Sequence, residues 1–420
     1  MARENGGRKL GIIRRVDVRH GRSGINAAQS DLNVIANNIA NANTTGFKGS
    51  RAEFADVFAV TGLNLNATAV GSGVMLQNVA QQFNQGDLQT TGNSLDLAIN
   101  GNGFFVVNNG NGAQYTRAGD FMKNSNGYVT TPEGARLQIY PPNGAGGFDM
   151  STLSDFNWVT AQSNATATST ITLASNLPAS ATVPTGAFST TDSTTYNNAA
   201  PVTVYDSQGG SHQATIYYVK TGTNAWNANL YVDGQSAGTQ PMTFDSTGKL
   251  TTPSNGTLAF NAVNLGNGSA PLTLSLGVNN ITQYGTDYSA GSILQNGFEA
   301  GTLTGIDIDE KGVITASYSN NQSTQIGQVA VANFANVQGL RQLGNTTWAS
   351  STDSGQAVMG TASSGEYGNI KSGELESSNT ADTTAQLVNM IQAQRDYQAN
   401  AQVLSTDNTL ASALFNAVSR

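Results

Sequence analysis

The sequence contains no cysteine at all, so neither a disulfide nor a thiolate metal site is open to it. Histidine is nearly missing too. His20 and His212 are the only two, and neither falls in HExxH or any other metal-binding spacing. Charged residues make up 11% of the chain, against about 25% in an ordinary soluble protein. The net charge of −8 argues against general nucleic-acid binding. No run approaches the ~18 apolar residues of a membrane-spanning helix. Leu10 to Ile13 is too short for the apolar centre of a secretory signal.

Reactive motifs are scarce as well. There is no G-x-S-x-G elbow, and Gly101-Asn-Gly103 lacks the rest of a dinucleotide fingerprint. Asp307-Ile-Asp309 begins like a calcium loop, but Lys311 and Tyr318 stand where oxygen ligands belong, so the stretch reads as a hairpin. Paired acids for glycoside chemistry would converge only in three dimensions and leave no spacing to read. Neither a catalytic group nor a cofactor site is assigned. What fills the chain is Gly, Asn, Ser and Thr, as in β-rich extracellular proteins, and 420 residues suit two to four domains.

The two ends differ from the middle. Ile25, Ala28, Leu32, Ile35, Ile39 and Ala42 recur at alternating spacings of three and four, the heptad pattern of a helix that packs along one seam. Thr44, Thr45 and Gly46 then stop it, with Gly46 suited to a left-handed position. At the other end no Gly or Pro follows Gly373. Met390, Gln394, Tyr397, Ala401, Leu404, Asn408, Ala411, Phe415 and Val418 repeat the same spacing. Such diluted seams are unstable as lone helices in water, so both ends are expected to order on assembly. The alternative is a terminal helix packed on its own domain. Residues 1–22 carry seven basic residues against two acidic ones, a local net of +5. They read as an unstructured basic arm, or as upstream sequence joined through a misassigned start.

Between the ends the pattern is that of strands. Phe47, Phe54, Val57 and Phe58 form a short apolar cluster, and Thr61 to Ser72 reads as a small-residue loop. Leu95, Leu97 and Ile99 alternate, Gly103 to Val107 is a buried run, and Asn126-Gly127 marks a hairpin. After Tyr140-Pro-Pro-Asn-Gly144 the chain is rich in Ser, Thr and Ala. Strands return around Val202 to Val204, Ala214 to Tyr218 and Leu272 to Leu276. Ile306 to Ile314 and Gln328 to Phe334 add more. The predicted fold is a multidomain α+β chain, with heptad-patterned helices at both termini and nested, mostly antiparallel all-β domains between them. The expected divisions are 1–22, a basic extension; 23–75 with 372–420, a helical inner domain; 76–147 with 287–371, a β-rich middle domain; and 148–286, an inserted outer β domain. The dispersed aromatics Tyr205, Tyr217, Tyr218 and Trp226 also admit a carbohydrate-binding surface protein. Alternating tyrosines in a strand more often pack across it.

Three stretches carry a family. Asn33-Val-Ile-Ala-Asn-Asn-Ile-Ala-Asn-Ala-Asn-Thr-Thr-Gly-Phe-Lys48 resembles the N-terminal motif of the bacterial flagellar rod and hook proteins. Thr91 to Phe105 with Tyr115-Thr-Arg-Ala-Gly-Asp-Phe121 is similar to a second motif. Gly373-Glu-Leu-Glu-Ser-Ser-Asn379 with Met390 to Tyr397 is similar to a third. Val202 to Gly209, Ile216 to Lys220, Trp226, Ala332 to Leu340 and Asn345 to Trp348 resemble the hook members in particular. The resemblance runs over about Ser23 to Arg420 and leaves residues 1–22 without a counterpart. Asn379-Thr-Ala-Asp382 also departs from the usual Asn-Val before the last helix.

The resemblance implies a subunit of a flexible tubular polymer that joins the rotary motor to the filament, outside the cell. It implies as partners the chain itself, the distal rod protein, the hook cap protein, the hook-filament junction protein and the flagellar type III export apparatus. Neither nucleic acid nor membrane insertion enters it. The assembly seam would be Ile25, Ala28, Leu32, Ile35, Ile39, Ala42, Met390, Tyr397, Ala401, Leu404, Ala411, Phe415 and Val418.

Overall fold

A computed structural model describes residues 2–57, 71–158 and 163–418. Phe58 and most of the loop expected at Thr61 to Ser72 lie outside the described residues. The chain is mostly β, with one long helix at each end. Helix α1 covers Ala2–Ala40 and helix α2 covers Thr383–Val418. Helix α1 reaches back through the basic segment that the sequence reading leaves unstructured. Nothing between Ala2 and Arg22 breaks a helix outright: there is no proline, and Arg and Lys are good helix formers. Gly46 ends the turn after α1 with φ +65°. Asp382 starts α2, its carboxylate accepting from the N–H groups of Thr384 at 3.0 Å and Ala385 at 3.3 Å.

Two compact units divide the chain. The first comprises Met1–Thr160, Ile306–Thr315 and Gln325–Arg420. In it the two halves of the sequence interleave strand by strand. Leu97–Asn100 pairs with Asn369–Ser372, and Leu88–Thr90 pairs with Glu374–Glu376, both antiparallel. Phe104–Asn108 lies against Ala113–Thr116 and against Ser323–Asn333, with Val331 opposite Phe105. Trp348 stands opposite Tyr115. Aromatic rings fill the core here: Phe104 meets Phe334 and Trp348 edge-on at centroid distances of 5.9 and 5.8 Å, and Tyr115 meets Phe334 at 4.7 Å. A separate ribbon, Ser50–Asp56 with Val74–Gln81, contacts α1.

The second unit comprises Ala161–Gly305 and Ala316–Thr324. Its five-stranded sheet is an antiparallel meander from Asn198–Tyr205 to Leu250–Thr252. Its four-stranded sheet includes one parallel pair, Thr170–Pro178 beside Ser275–Tyr284. Ile171, Leu173, Ile216, Trp226, Leu230 and Leu276, drawn from both sheets, share one buried core. Tyr218 and Trp226 are buried there at 0% and 1% exposure, so they are packing groups and not a sugar platform. The strand Thr170–Pro178 begins this unit's core, and the edge strand Ser289–Gln295 pairs with it. The unit's strands thus continue beyond residue 286.

Candidate assembly interface

Helices α1 and α2 lie against each other in the first unit. On α1, Ala28, Ile35 and Ala42 are buried, while Ile25, Leu32 and Ile39 are half-buried. On α2, Met390, Ala401, Leu404 and Ala411 are half-buried. Tyr397 is 37% exposed and Phe415 66% exposed. The side chain of Val418 lies outside the described residues. Among the described residues the most buried side chain of α2 is Ala393, at 2%, and Asn400 and Asp407, one and two heptads on, are half-buried. Gln394 and Asn408 face solvent. The buried stripe of α2 therefore includes positions adjacent to those that the apolar spacing picks out.

Small residues bring the helices together. A Cβ built on Gly21 would stand 3.7 Å from the Cβ of Leu404. One built on Gly24 would run into the side chain of Asn400. Asp31 sits near Asp396, and burial together with that like charge raises its pKa above the ordinary carboxylate value. Much of α2 is left uncovered: Leu387 (45%), Ile391 (48%), Val403 (54%), Leu410 (65%) and Leu414 (48%) are exposed. The ribbon adds Met75 at 55% and Val79 at 43%. A concentration of exposed large apolar groups on one helix and one ribbon is the mark of a surface meant to be covered. Each such side chain contributes about 1.5–3 kcal/mol when fully buried.

A knot of polar contacts joins the helix ends. Lys48 Nζ lies 2.6 Å from Glu376 Oε1, with both side chains fully buried. Arg117 Nη1 lies 3.3 Å from Glu376 Oε2. Lys48 also donates to the Asn84 carbonyl at 2.9 Å, and Arg117 Nη2 to the Gly101 carbonyl at 2.7 Å. The N–H of Gly86 donates to Glu376 Oε1 at 2.9 Å. Burial pushes the pKa of Lys48 and of Arg117 down, with Glu376 pulling both back up. Around this centre Gly46 N–H donates to the Glu376 carbonyl, Gly49 N–H to Asn379 Oδ1 at 2.7 Å, and Thr380 Oγ1 to the Asn38 carbonyl at 3.0 Å. Lys48, Arg117 and Glu376 each come from a different one of the three motif stretches. The three stretches are legible in the sequence, but their meeting at Glu376 is not. Isolated charged residues in a charge-poor chain were the available signal.

Among the described residues no group of three or more His, Asp or Glu is placed to hold a metal ion. No described helix is long and apolar enough to cross a membrane. His212 bridges two carboxylates of the second unit, Asp233 at 2.6 Å through Nδ1 and Asp206 at 3.2 Å through Nε2.

Four family models match the chain. Residues 18–48 match the flagella basal body rod protein model, and 98–193 the flagellar hook protein FlgE/F/G D1 domain. Residues 176–298 match the flagellar basal body protein FlaE D2 domain, and 371–417 the flagellar basal body rod FlgEFG protein C-terminal model. The chain is 38% identical over 408 residues to the flagellar hook protein FlgE of Salmonella typhimurium, covering 94% of this chain and 98% of that protein. To the flagellar hook protein FlgE of Escherichia coli K12 it is 38% identical over 411 residues, with the same coverage. To that of Rhizobium meliloti it is 33% identical over 414 residues, covering 95% and 98%. The fold is similar to the crystal structure of Helicobacter pylori flagellar hook protein FlgE2, with a TM-score of 0.50 and 15% identity over 69% of this chain and 100% of that one.

Proposed function

This chain belongs to the flagellar hook protein family, and on that premise we propose how it works as a structural subunit of the bacterial flagellar hook. The paired terminal helices form the inner, coiled-coil layer of a tube, and the apolar groups that α2 leaves exposed are covered by neighbouring copies. The observation that carries this reading is the set of exposed large apolar side chains Leu387, Ile391, Val403, Leu410 and Leu414 on a helix that already packs against α1. The β domains form the outer layers, the inserted one outermost. Their low-charge, Gly-, Ser- and Asn-rich surfaces suit small contacts that slide, in the range below roughly 1,200 Å². A continuous helical layer resists torsion while such contacts let the tube bend.

In this reading the assembled protein is extracellular. It meets the distal rod protein at its base and the hook-filament junction protein at its tip, grows beneath the cap protein, and leaves the cell through the flagellar type III apparatus. A cysteine-free chain suits export in an unfolded state. Sedimentation and electron microscopy of the concentrated, purified chain test the proposal. Tubes are the expected product, and a chain that stays monomeric at every concentration would overturn it.

A further inference from the structure

The buried triad Lys48–Glu376–Arg117 is an unusual thing to find in a chain with so few charges. Ions taken out of water lose hydration that their mutual attraction only roughly restores, so apolar groups of the same volume would hold the fold as well or better. Here two basic side chains converge on one buried carboxylate inside the first unit. What such a cluster supplies is selectivity. The observed arrangement gives each oxygen of Glu376 a basic partner, and any other leaves a buried charge unpaired.

The α1–α2 contact lacks that selectivity by itself. Its closest approaches are made by the glycines Gly21 and Gly24, against Leu404 and Asn400, and a stripe that repeats every two turns offers further seatings two turns away. Glu376 stands where such sliding can be stopped. It precedes α2, and the residues between are tied down one after another. Ser377 N–H donates to the Asp87 carbonyl, Asn379 accepts from Gly49, and Thr380 donates to Asn38. Lys48 follows α1 in the same way, through Gly46 and Phe47, whose N–H groups donate to the carbonyls of Glu376 and Thr44.

We infer that the Lys48–Glu376–Arg117 triad is the register key of the two terminal helices: by admitting one carboxylate at one place, it fixes the axial offset of α2 on α1 and so the pattern of apolar groups that α2 presents for assembly. The inference rests on the assembly reading for its purpose but not for its geometry. Glu376 acts as a positioning residue and Lys48 with Arg117 as its receptor.

Engineered disulfides read the offset directly, because the chain has no cysteine of its own. Gly21→Cys with Leu404→Cys reports the observed register, since the two Cβ positions lie 3.7 Å apart, within disulfide range. Gly21→Cys with Tyr397→Cys or Ala411→Cys reports a slip of two turns either way, roughly 10 Å along the helix. In the otherwise unaltered full-length chain the first pair should oxidise at least about tenfold faster than the other two. With Glu376→Gln, or with the apolar set Lys48→Met, Arg117→Leu and Glu376→Leu, the preference should fall to about twofold or less while the β-sheet melting transition persists.

A preference that survives in both variants would overturn the inference, because helix packing alone would then set the register. Loss of the β-sheet transition in the apolar variant would overturn it too, by making the triad a general support of the fold. Absence of tubes from the unaltered chain is a separate failure, one that sinks the assembly reading and leaves the disulfide result standing.

Discussion

Gly24 of α1 faces Asn400 of α2 so closely that a methyl group at position 24 would lie 2.3 Å from Asn400 Oδ1. Asn400 is held there by its own hydrogen bond to the Asp396 carbonyl at 2.8 Å. Ala in place of Gly favours a helix interior by about 1 kcal/mol, while overpacking a close contact costs about 1–3 kcal/mol. Gly24→Ala should therefore be destabilising on balance. Adding Asn400→Ala should remove the conflict and leave the helix gain. A double-mutant cycle on chemical unfolding measures the coupling. Simple additivity would mean that the two residues do not touch.

Gly46 is more constrained. Its φ of +65° already disfavours a side chain, and a Cβ there would stand 2.4 Å from the backbone nitrogen of Ala118, which cannot rotate away. Gly46→Ala should cost at least about 2 kcal/mol. The expected signature is loss of hydrogen-exchange protection at Gly46 and Gly49, whose N–H groups are bonded to the C-terminal arm.

Leu410 is 65% exposed, so Leu410→Ser should change the melting of the free subunit by no more than about 0.5 kcal/mol. In a polymer that covers the residue, the same change removes about 1.5–3 kcal/mol per subunit. The critical concentration for assembly should rise about tenfold or more. Light scattering against concentration gives that number. An unchanged value would place the polymer contacts elsewhere.

The second unit should respond to pH. Both ring nitrogens of His212 face carboxylates, an arrangement that only the doubly protonated ring satisfies. Burial opposes that charge, but Asp233 and Asp206 outweigh it and raise the His212 pKa above 6.5. Burial also opposes ionisation of Asp206. Hydrogen bonds from Asn267, His212, Gly210 and Gln208 overcome this and hold its pKa well below the usual range. The bond from His212 lowers Asp233 as well.

The imidazolium contribution is complete below pH ~6.5 and fades as the pH rises through the raised value. The carboxylate contribution is complete above pH ~4 and fades below it. Stability of this unit should therefore peak between roughly pH 4 and 6.5. Each 1 kcal/mol lost above that window should lower Tm by about 2–4 °C. His212→Phe should flatten the alkaline side of the profile, and an undiminished slope would remove His212 from the account.

Periodicity and turn chemistry made much of the chain legible. The helix over Ile25 to Ile39, the stop at Gly46, the Asn126-Gly127 hairpin and the buried run Phe104 to Val107 rest on local signals that the fold keeps. The strand Thr170–Pro178 also had its signal, in the alternation of Ile171, Leu173 and Leu177 among threonines and serines. A surrounding composition rich in Ser, Thr and Ala masks it, and its parallel partner lies about a hundred residues on, beyond any local cue. The buried face of α2 was hard to read for a related reason. Ala393, Asn400 and Asp407 are small or polar, and their burial follows from how close α1 approaches at Gly21 and Gly24. The meeting of Lys48, Arg117 and Glu376 is a tertiary fact, invisible until the two halves of the chain are paired.

The most direct measurement is a helical reconstruction of the assembled polymer by electron cryomicroscopy, at a resolution that shows side chains. The account predicts that Leu387, Ile391, Val403, Leu410 and Leu414 of every subunit are buried against neighbouring terminal helices. A polymer in which these side chains of α2 remain open to solvent, and in which the β units carry all the contacts between subunits, would contradict it.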